Sequence, residues 1–266
     1  MWVIILIIII GLFSIVATAF VPKLRRFHEH TNSSIKRLFM NMGSSTLQNK
    51  ALQNIYDEMI KLSINDIENL HSKEPLKCPE IIKCLDIMNN VSLDEIGFTD
   101  DKIDILDNID SPMCTMITGN NAFHISVFIL PPNQSLPLHD HPNMSVLSKI
   151  LRGSMKIKAF SKSNLQNNNY IVSVDEIRNM NTPAWCLTPT DSNIHEFTSL
   201  GGDNNNNESC VILDLLLPPY LEGRRDCTYY NSEVSNDDKW KLKAIKGEPN
   251  VPLPKGFQYF GYQVKT

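Results

Sequence analysis

The sequence predicts a mainly β protein whose strands close into an antiparallel sandwich or barrel, set behind a helical prelude and an N-terminal apolar segment. Three observations carry that expectation. From Met113 onward, short runs rich in β-branched and aromatic residues are punctuated by Pro, Gly and Asn. Between Ser44 and Leu70, apolar residues recur at helical intervals. Val3 to Val21 contains no charge at all.

Taken in order, the first element is that apolar stretch, VIILIIIIGLFSIVATAFV. At about 1.5 Å per residue it is long enough to cross a ~30 Å hydrocarbon layer as a helix. Lys23, Arg25, Arg26, Lys36 and Arg37 follow it, so the positive-inside bias predicts a single-pass anchor over residues 1–22 with the rest of the chain in the cytosol. The membrane is then a partner through residues 3–21. Ala17-Thr18-Ala19 has the form of a signal-peptidase site, which makes a secreted, cleaved protein the competing expectation. The missing basic n-region stands against it. His28 and His30 read as solvated residues of the basic segment.

Residues 23–110 read as that basic juxtamembrane segment and a helical prelude. Leu47, Leu52, Ile55, Met59, Leu62 and Ile67 define one helical face, with Ser45 or Thr46 as its cap. A second helix is expected over Pro79 to Met88, then a polar, acidic stretch through Asp110, with His71 a surface residue. Strands are expected at Cys114–Thr118, Phe123–Leu130, Val146–Leu151, Met155–Phe160, Tyr170–Val174, Trp185–Thr188, His195–Ser199 and Cys210–Leu216. They make one β domain over residues 111–266. Gln166–Asn169 and Asp203–Asn207 are polar loop insertions, and Gly153 permits a bend between strands.

The formal net charge of -4 gives no basic surface for phosphate, so no nucleic-acid partner is expected, and a monomeric domain is. Cys78, Cys84, Cys114, Cys186, Cys210 and Cys227 form no close pairs, which predicts packed, reduced thiols rather than a disulfide framework or a zinc knuckle.

His139 and His141 are two residues apart in Leu136-Pro-Leu-His-Asp-His-Pro142, so an extended segment projects both from one face, where they can grip one ion. By itself this motif fits two exposed histidines in a proline-rich turn equally well. A third histidine, His195, follows Thr188-Pro-Thr-Asp-Ser-Asn193-Ile at the start of a strand that a barrel can turn inward. Three neutral imidazoles suit a divalent first-row metal and leave positions open for reaction. His124 lies in a strand away from both motifs and reads as structural.

The blocks HDHPNMSVLSKILRGSMKIKAF, LTPTDSNIHEF, LDLLLPPY and DCTYY, in that order, resemble the cysteamine dioxygenase and plant cysteine oxidase family of N-terminal-thiol dioxygenases. The resemblance implies a double-stranded β-helix of the cupin or jelly-roll kind. It also implies a mononuclear ferrous ion, Fe(2+), on His139, His141 and His195. Cupins often carry a Glu shortly after the His-x-His. Here the chain reads Pro-Asn-Met-Ser-Val, so a three-histidine site without a carboxylate is expected. The implied reaction adds both atoms of O2 to the sulfur of a small thiol, or of a protein's N-terminal cysteine, to give a sulfinic acid. Such an activity can report oxygen level.

Asp214 sits in an otherwise apolar strand, where an ionised carboxylate is costly unless it faces solvent or a partner. The resemblance makes it an active-site acid that orients the substrate amine or a water, and Tyr220, in its PPY element, a residue lining the site. It also marks Cys227 and Tyr229 as a pair able to form a thioether cross-link. The rival expectation is a membrane-anchored, non-catalytic cupin module whose histidines hold zinc or nothing. Asn193 is read as a brace for the turn before His195.

Overall fold

The computed structural model describes residues 50–70, 75–163, 169–201, 208–234, 240–250, 252–259, 261 and 263–266. These belong to one compact unit, Ser44–Thr266.

Among the described residues four α-helices precede the strands: α1 (Lys50–Met59), α2 (Ile64–Leu70), α3 (Pro79–Asn89) and α4 (Asp100–Asp107). Helix α2 begins with a reciprocal cap, the Asp66 amide donating to Ser63 Oγ and the Ser63 amide to Asp66 Oδ2. Pro79 opens α3, where its missing N–H removes no helical bond. The polar, acidic stretch before Asp110, for which no helix was expected, contains α4. Asp100 and Asp101 stabilise its first turn against the helix dipole, and Leu106 is its buried residue. One buried side chain is too weak a periodic signal to read from sequence.

Among the described residues twelve strands follow: β1 (Met113–Gly119), β2 (His124–Leu130), β3 (Ser135–His139), β4 (Ser145–Arg152), β5 (Ser154–Lys162) and β6 (Tyr170–Asn179), then β7 (Trp185–Leu187), β8 (Ile194–Ser199), β9 (Cys210–Leu217), β10 (Tyr230–Val234), β11 (Trp240–Ala244) and β12 (Lys255–Gly256). They form two six-stranded sheets, ordered β12-β1-β2-β9-β4-β7 and β10-β11-β6-β5-β8-β3. All eight predicted strands are present. The sequence reading passed over β3, β10, β11 and β12. Pro137 lies within β3, which is tolerated because β3 is the outer strand of its sheet. Both β10 and β11 are largely exposed; β10 (YNSEV) shows no apolar alternation, and β11 (WKLKA) alternates over five residues only, with Trp240 and Leu242 half-buried.

Period-two alternation sorts each central strand between two cores. Ile125, Val127 and Ile129 of β2 and Val211, Leu213 and Leu215 of β9 face the helices, packing on Leu52, Ile55, Ile81 and Met88. Leu130, Cys210 and Ile212 face the second sheet and meet Met155, Ile157 and Phe197. Strand β9 is therefore buried along its whole length. Each fully buried Leu, Ile or Val there contributes about 1.5–3 kcal/mol from burial. Gly153 joins β4 to β5 at φ +73°, and a Cβ there would stand 3.1 Å from Cys210 Cα. Arg152 ties α4 to the first sheet through paired bonds to Asp107 at 2.6 and 2.8 Å. All six cysteines are free, as expected.

The single-pass membrane placement is corrected. Among the described residues no helix is long and apolar enough to cross a membrane, and residues 3–21, which carried that expectation, lie outside them. The capping Ser45 and Thr46, together with His28, His30, His71, residues 166–168 and the 203–207 insertion, also lie outside the described residues.

Candidate metal centre

His139 ends β3 and stands opposite His195 of β8 in the antiparallel register. On β8, His195 faces the interior with Phe197, whose ring stacks on it at 4.4 Å. The extended run stops at His139, so the condition under which both histidines share one strand face is met only up to that residue, and His141 lies in the turn leading to β4. What brings it inward is Asn193. Its Oδ1 accepts from the His141 amide at 3.1 Å, and its Nδ2 donates to the carbonyls of His141 at 2.8 Å and Thr188 at 3.2 Å. Asn193 thus clamps the His141 turn to the turn that delivers His195. Asn193→Ala removes all three bonds; the His141 and Thr188 carbonyls keep the Met144 and Asp191 amides, but the His141 amide loses its acceptor, so stability to urea unfolding should fall by about 1–3 kcal/mol.

The three rings converge, with centroid separations of 5.0 Å (His139–His141), 4.7 Å (His139–His195) and 4.9 Å (His141–His195). One nitrogen from each ring lies within 4.8 Å of the others. Burial pushes all three imidazoles toward the neutral form. Their mutual proximity disfavours the charged form of His141 and His195 further. Neutral imidazoles are what a metal binds.

The Nδ1 atoms are oriented from behind. His139 Nδ1 pairs with the Pro137 carbonyl at 2.8 Å, and His195 Nδ1 is 3.5 Å from the Ser192 carbonyl. His141 Nδ1 meets the Tyr220 hydroxyl at 2.8 Å, and that hydroxyl donates to the Asp140 carbonyl at 2.8 Å. With its proton committed to Asp140, the hydroxyl is an acceptor toward His141, which puts the imidazole proton on Nδ1 and leaves Nε2 as the free donor. Tyr220 is therefore a residue that orients His141. Tyr220→Phe removes that partner and should weaken metal affinity about 10- to 100-fold in a Co(II) titration read by visible absorption.

Asp214 lies on β9 between Ser126 of β2 and Ser148 of β4 in the cross-strand register. It shares the interior face with Ile212 and is 7% exposed, so the outward-facing alternative is excluded. Its Oδ1 has no hydrogen-bond partner among the described residues, and burial lifts the carboxyl to about 7, opposed by a hydrogen bond from Ser148. Asp214 is not one of the clustered donors. Leu216, two residues on, packs with Met144 and Tyr220.

Cys227 and Tyr229 are brought together. The Tyr220 and Tyr229 hydroxyls neighbour the Cys227 thiol, and burial raises that thiol to about 11. Tyr229 bridges to His139, their rings 6.3 Å apart. His124 stands apart on β2 opposite Leu216, and burial lowers it to about 4. A cavity of about 160 Å³ adjoins His195 and is walled by Val174, Arg178, Trp185, Leu187 and Phe197. Residues not singled out from sequence are Asp140, Ser126 and Ser148. Asp140 lies inside the HDH motif, and that position was its only signal.

A metal fits this donor set. Three neutral nitrogens are held by backbone and tyrosine partners, and their separation is one that a single ion can span.

Comparison with known proteins adds sequence relationships. The family model PCO_ADO matches residues 87–254, more than half of the chain. A protein named "Probable 2-aminoethanethiol dioxygenase" from Dictyostelium discoideum is 42% identical over 127 residues, covering 45% of this chain and 56% of that protein. Plant cysteine oxidase 1 of Arabidopsis thaliana is 38% identical over 123 residues, covering 41% of this chain and 38% of that one. The human 2-aminoethanethiol dioxygenase is 26% identical over 140 residues, covering 43% and 50%. The chain thus spans about half the length of the curated relatives it matches.

Proposed function

The chain belongs to the PCO_ADO family, and from that premise we propose that it is a ferrous-iron thiol dioxygenase acting on cysteamine or on the N-terminal cysteine of a protein. In this reading the catalytic domain, over residues 111–266, is a cupin-type double-stranded β-helix. The observation that carries the reading is the convergence of His139, His141 and His195, all held neutral, with one donor nitrogen each. Iron held there supplies a site for the thiolate and for activation of O2, and the balanced reaction is RSH + O2 → RSO2H.

The chain's own residues set the selectivity. Three neutral ligands leave the ion's charge uncompensated, which favours an anionic, soft donor such as thiolate over a neutral one. Tyr220 orients His141 as a ligand. Asp214, an interior carboxyl balanced near neutrality with one oxygen unpartnered, is suited to hold the substrate's ammonium group or to exchange a proton with it. Cys227 and Tyr229, beside His139, are the pair that this reading assigns to a thioether cross-link.

The test is incubation of the Fe(II)-loaded protein with cysteamine and with a Cys-initiating peptide, in air and under nitrogen, followed by mass spectrometry. A gain of two oxygen atoms in air alone is the expected result. Stoichiometric zinc with no thiol oxidation after iron loading would instead favour a non-catalytic metal-binding module.

A further inference from the structure

Asp140 separates the two histidines of the HDH motif, in a turn where a carboxylate is ordinarily left to solvent. Here every polar group it has is engaged. Its amide donates to the Thr228 carbonyl at 3.1 Å, and its own carbonyl accepts from the Tyr220 hydroxyl at 2.8 Å. Its carboxylate accepts from the Thr228 amide at 2.7 Å on Oδ1 and from the Tyr230 hydroxyl at 2.8 Å on Oδ2. Three of these four bonds reach residues 228–230.

That segment needs holding. Residues 226–228 have no regular secondary structure; further anchors of the segment are the Tyr229–His139 bridge, the Ile245 amide donating to the Tyr229 carbonyl at 2.8 Å, and the pairing of Tyr230 with Ala244 of β11. Asp140 adds to these anchors two side-chain acceptor bonds, at 2.7 and 2.8 Å, that fasten the residues on either side of Tyr229. With both oxygens accepting from the segment, the carboxylate is occupied, which accounts for its absence from the donor cluster despite its place between two of the histidines.

We propose that Asp140 is a positioning residue that latches the Cys227–Tyr230 segment against the three-histidine site, and so sets where Cys227 and Tyr229 stand relative to the reacting thiol. The inference rests on the dioxygenase reading for its catalytic consequence, but the latch itself is a property of the folded chain with or without metal. The register makes this coupling direct, because Asp140 is bonded to the segment through Thr228 and Tyr230, the residues on either side of Tyr229. A shift of the latch moves Tyr229, and with it the Cys227 thiol that neighbours its hydroxyl.

Two measurements test it. In the metal-free protein, alkylation of Cys227 by iodoacetamide, followed by peptide mapping, should be about 10-fold faster in Asp140→Ala, with buried Cys210 unchanged. Asp140→Asn keeps an acceptor for the Thr228 amide and should stay within about threefold of the parent. In the iron-loaded protein, D140A should keep one metal per chain and a KM for cysteamine within about twofold, while kcat falls about 10-fold and recovers largely in D140N. Unchanged Cys227 alkylation in D140A overturns the latch. So does loss of metal stoichiometry, because Asp140 would then act on the ligands rather than on the segment. If the parent protein oxidises no thiol, the dioxygenase reading fails, and the alkylation comparison still decides the latch.

Discussion

His195→Ala should leave a folded protein that no longer holds its metal, with bound iron falling from about one per chain to below about 0.1 and thiol oxidation falling at least about 1000-fold. His195 lies at 4.7 Å from the ring of His139 and 4.9 Å from that of His141, so its removal leaves two nitrogens to hold the ion. A hydrogen-bond partner behind a ligand is by itself worth about 10- to 100-fold in affinity, and loss of the ligand exceeds that. The ring also stacks on Phe197, so truncation opens space in the interior core. His195→Gln, which keeps most of the volume, separates that packing loss from the loss of the nitrogen. Metal analysis and circular dichroism on both variants are the measurements. One iron per chain in H195A would show that His195 is not a ligand.

Asp214→Asn should have the second largest effect, and in two opposite directions. Activity should fall by about 100-fold or more, as expected for loss of a positioned acid or base. Stability of the metal-free protein should rise, because burial lifts the Asp214 carboxyl from 3.8 to about 7. A raised carboxyl means that the folded state binds the proton more tightly than the unfolded chain. The penalty is absent below about pH 4, grows between about pH 4 and 7, and is fully present above about pH 7. A shift of about three pH units corresponds to an upper bound on the order of 4 kcal/mol. The buried histidines titrate with the opposite sign. Held below 6.5 in the fold, they contribute stability that is present above that value and lost as pH falls. The difference between parent and variant isolates Asp214 from them. Urea unfolding at pH 4 and pH 8 should give equal stability at the lower pH and a gain of about 1–4 kcal/mol for D214N at the higher. Equal stability at both would mean that Asp214 is solvated.

How much was legible follows from where the side chains point. The buried strands β2, β4, β5 and β9 were readable because apolar, β-branched runs have few other uses in a chain of this composition. Helix α4 was not, because a single buried leucine among carboxylates carries no usable period. Strand β3 was not, because Pro137 reads as a breaker until the strand is known to lie at a sheet edge. The metal site was legible as residue types, His139 and His141 by spacing and His195 by its place at the head of a strand. The membrane placement was argued from residues 3–21 and the basic residues that follow them, all outside the described residues, and no described helix is long and apolar enough to cross a membrane.

By itself the sequence determined the class of fold, the family and the three histidines, because these depend on residue type and on spacing along the chain. Only the tertiary structure decided their working arrangement. The antiparallel register sets His195 opposite His139, and Asn193 draws in a His141 that the strand itself does not carry. Tyr220 fixes the proton of His141, and Asp140 reaches across to residues nearly ninety positions away. Such contacts join groups far apart in sequence, and a hydrogen bond depends on distance and direction in space, which local pattern does not encode. The same holds for Asp214, whose strand position leaves two faces open. The packing of Ile212 against the second sheet settled that it turns inward, into a medium that keeps its carboxyl balanced near neutrality.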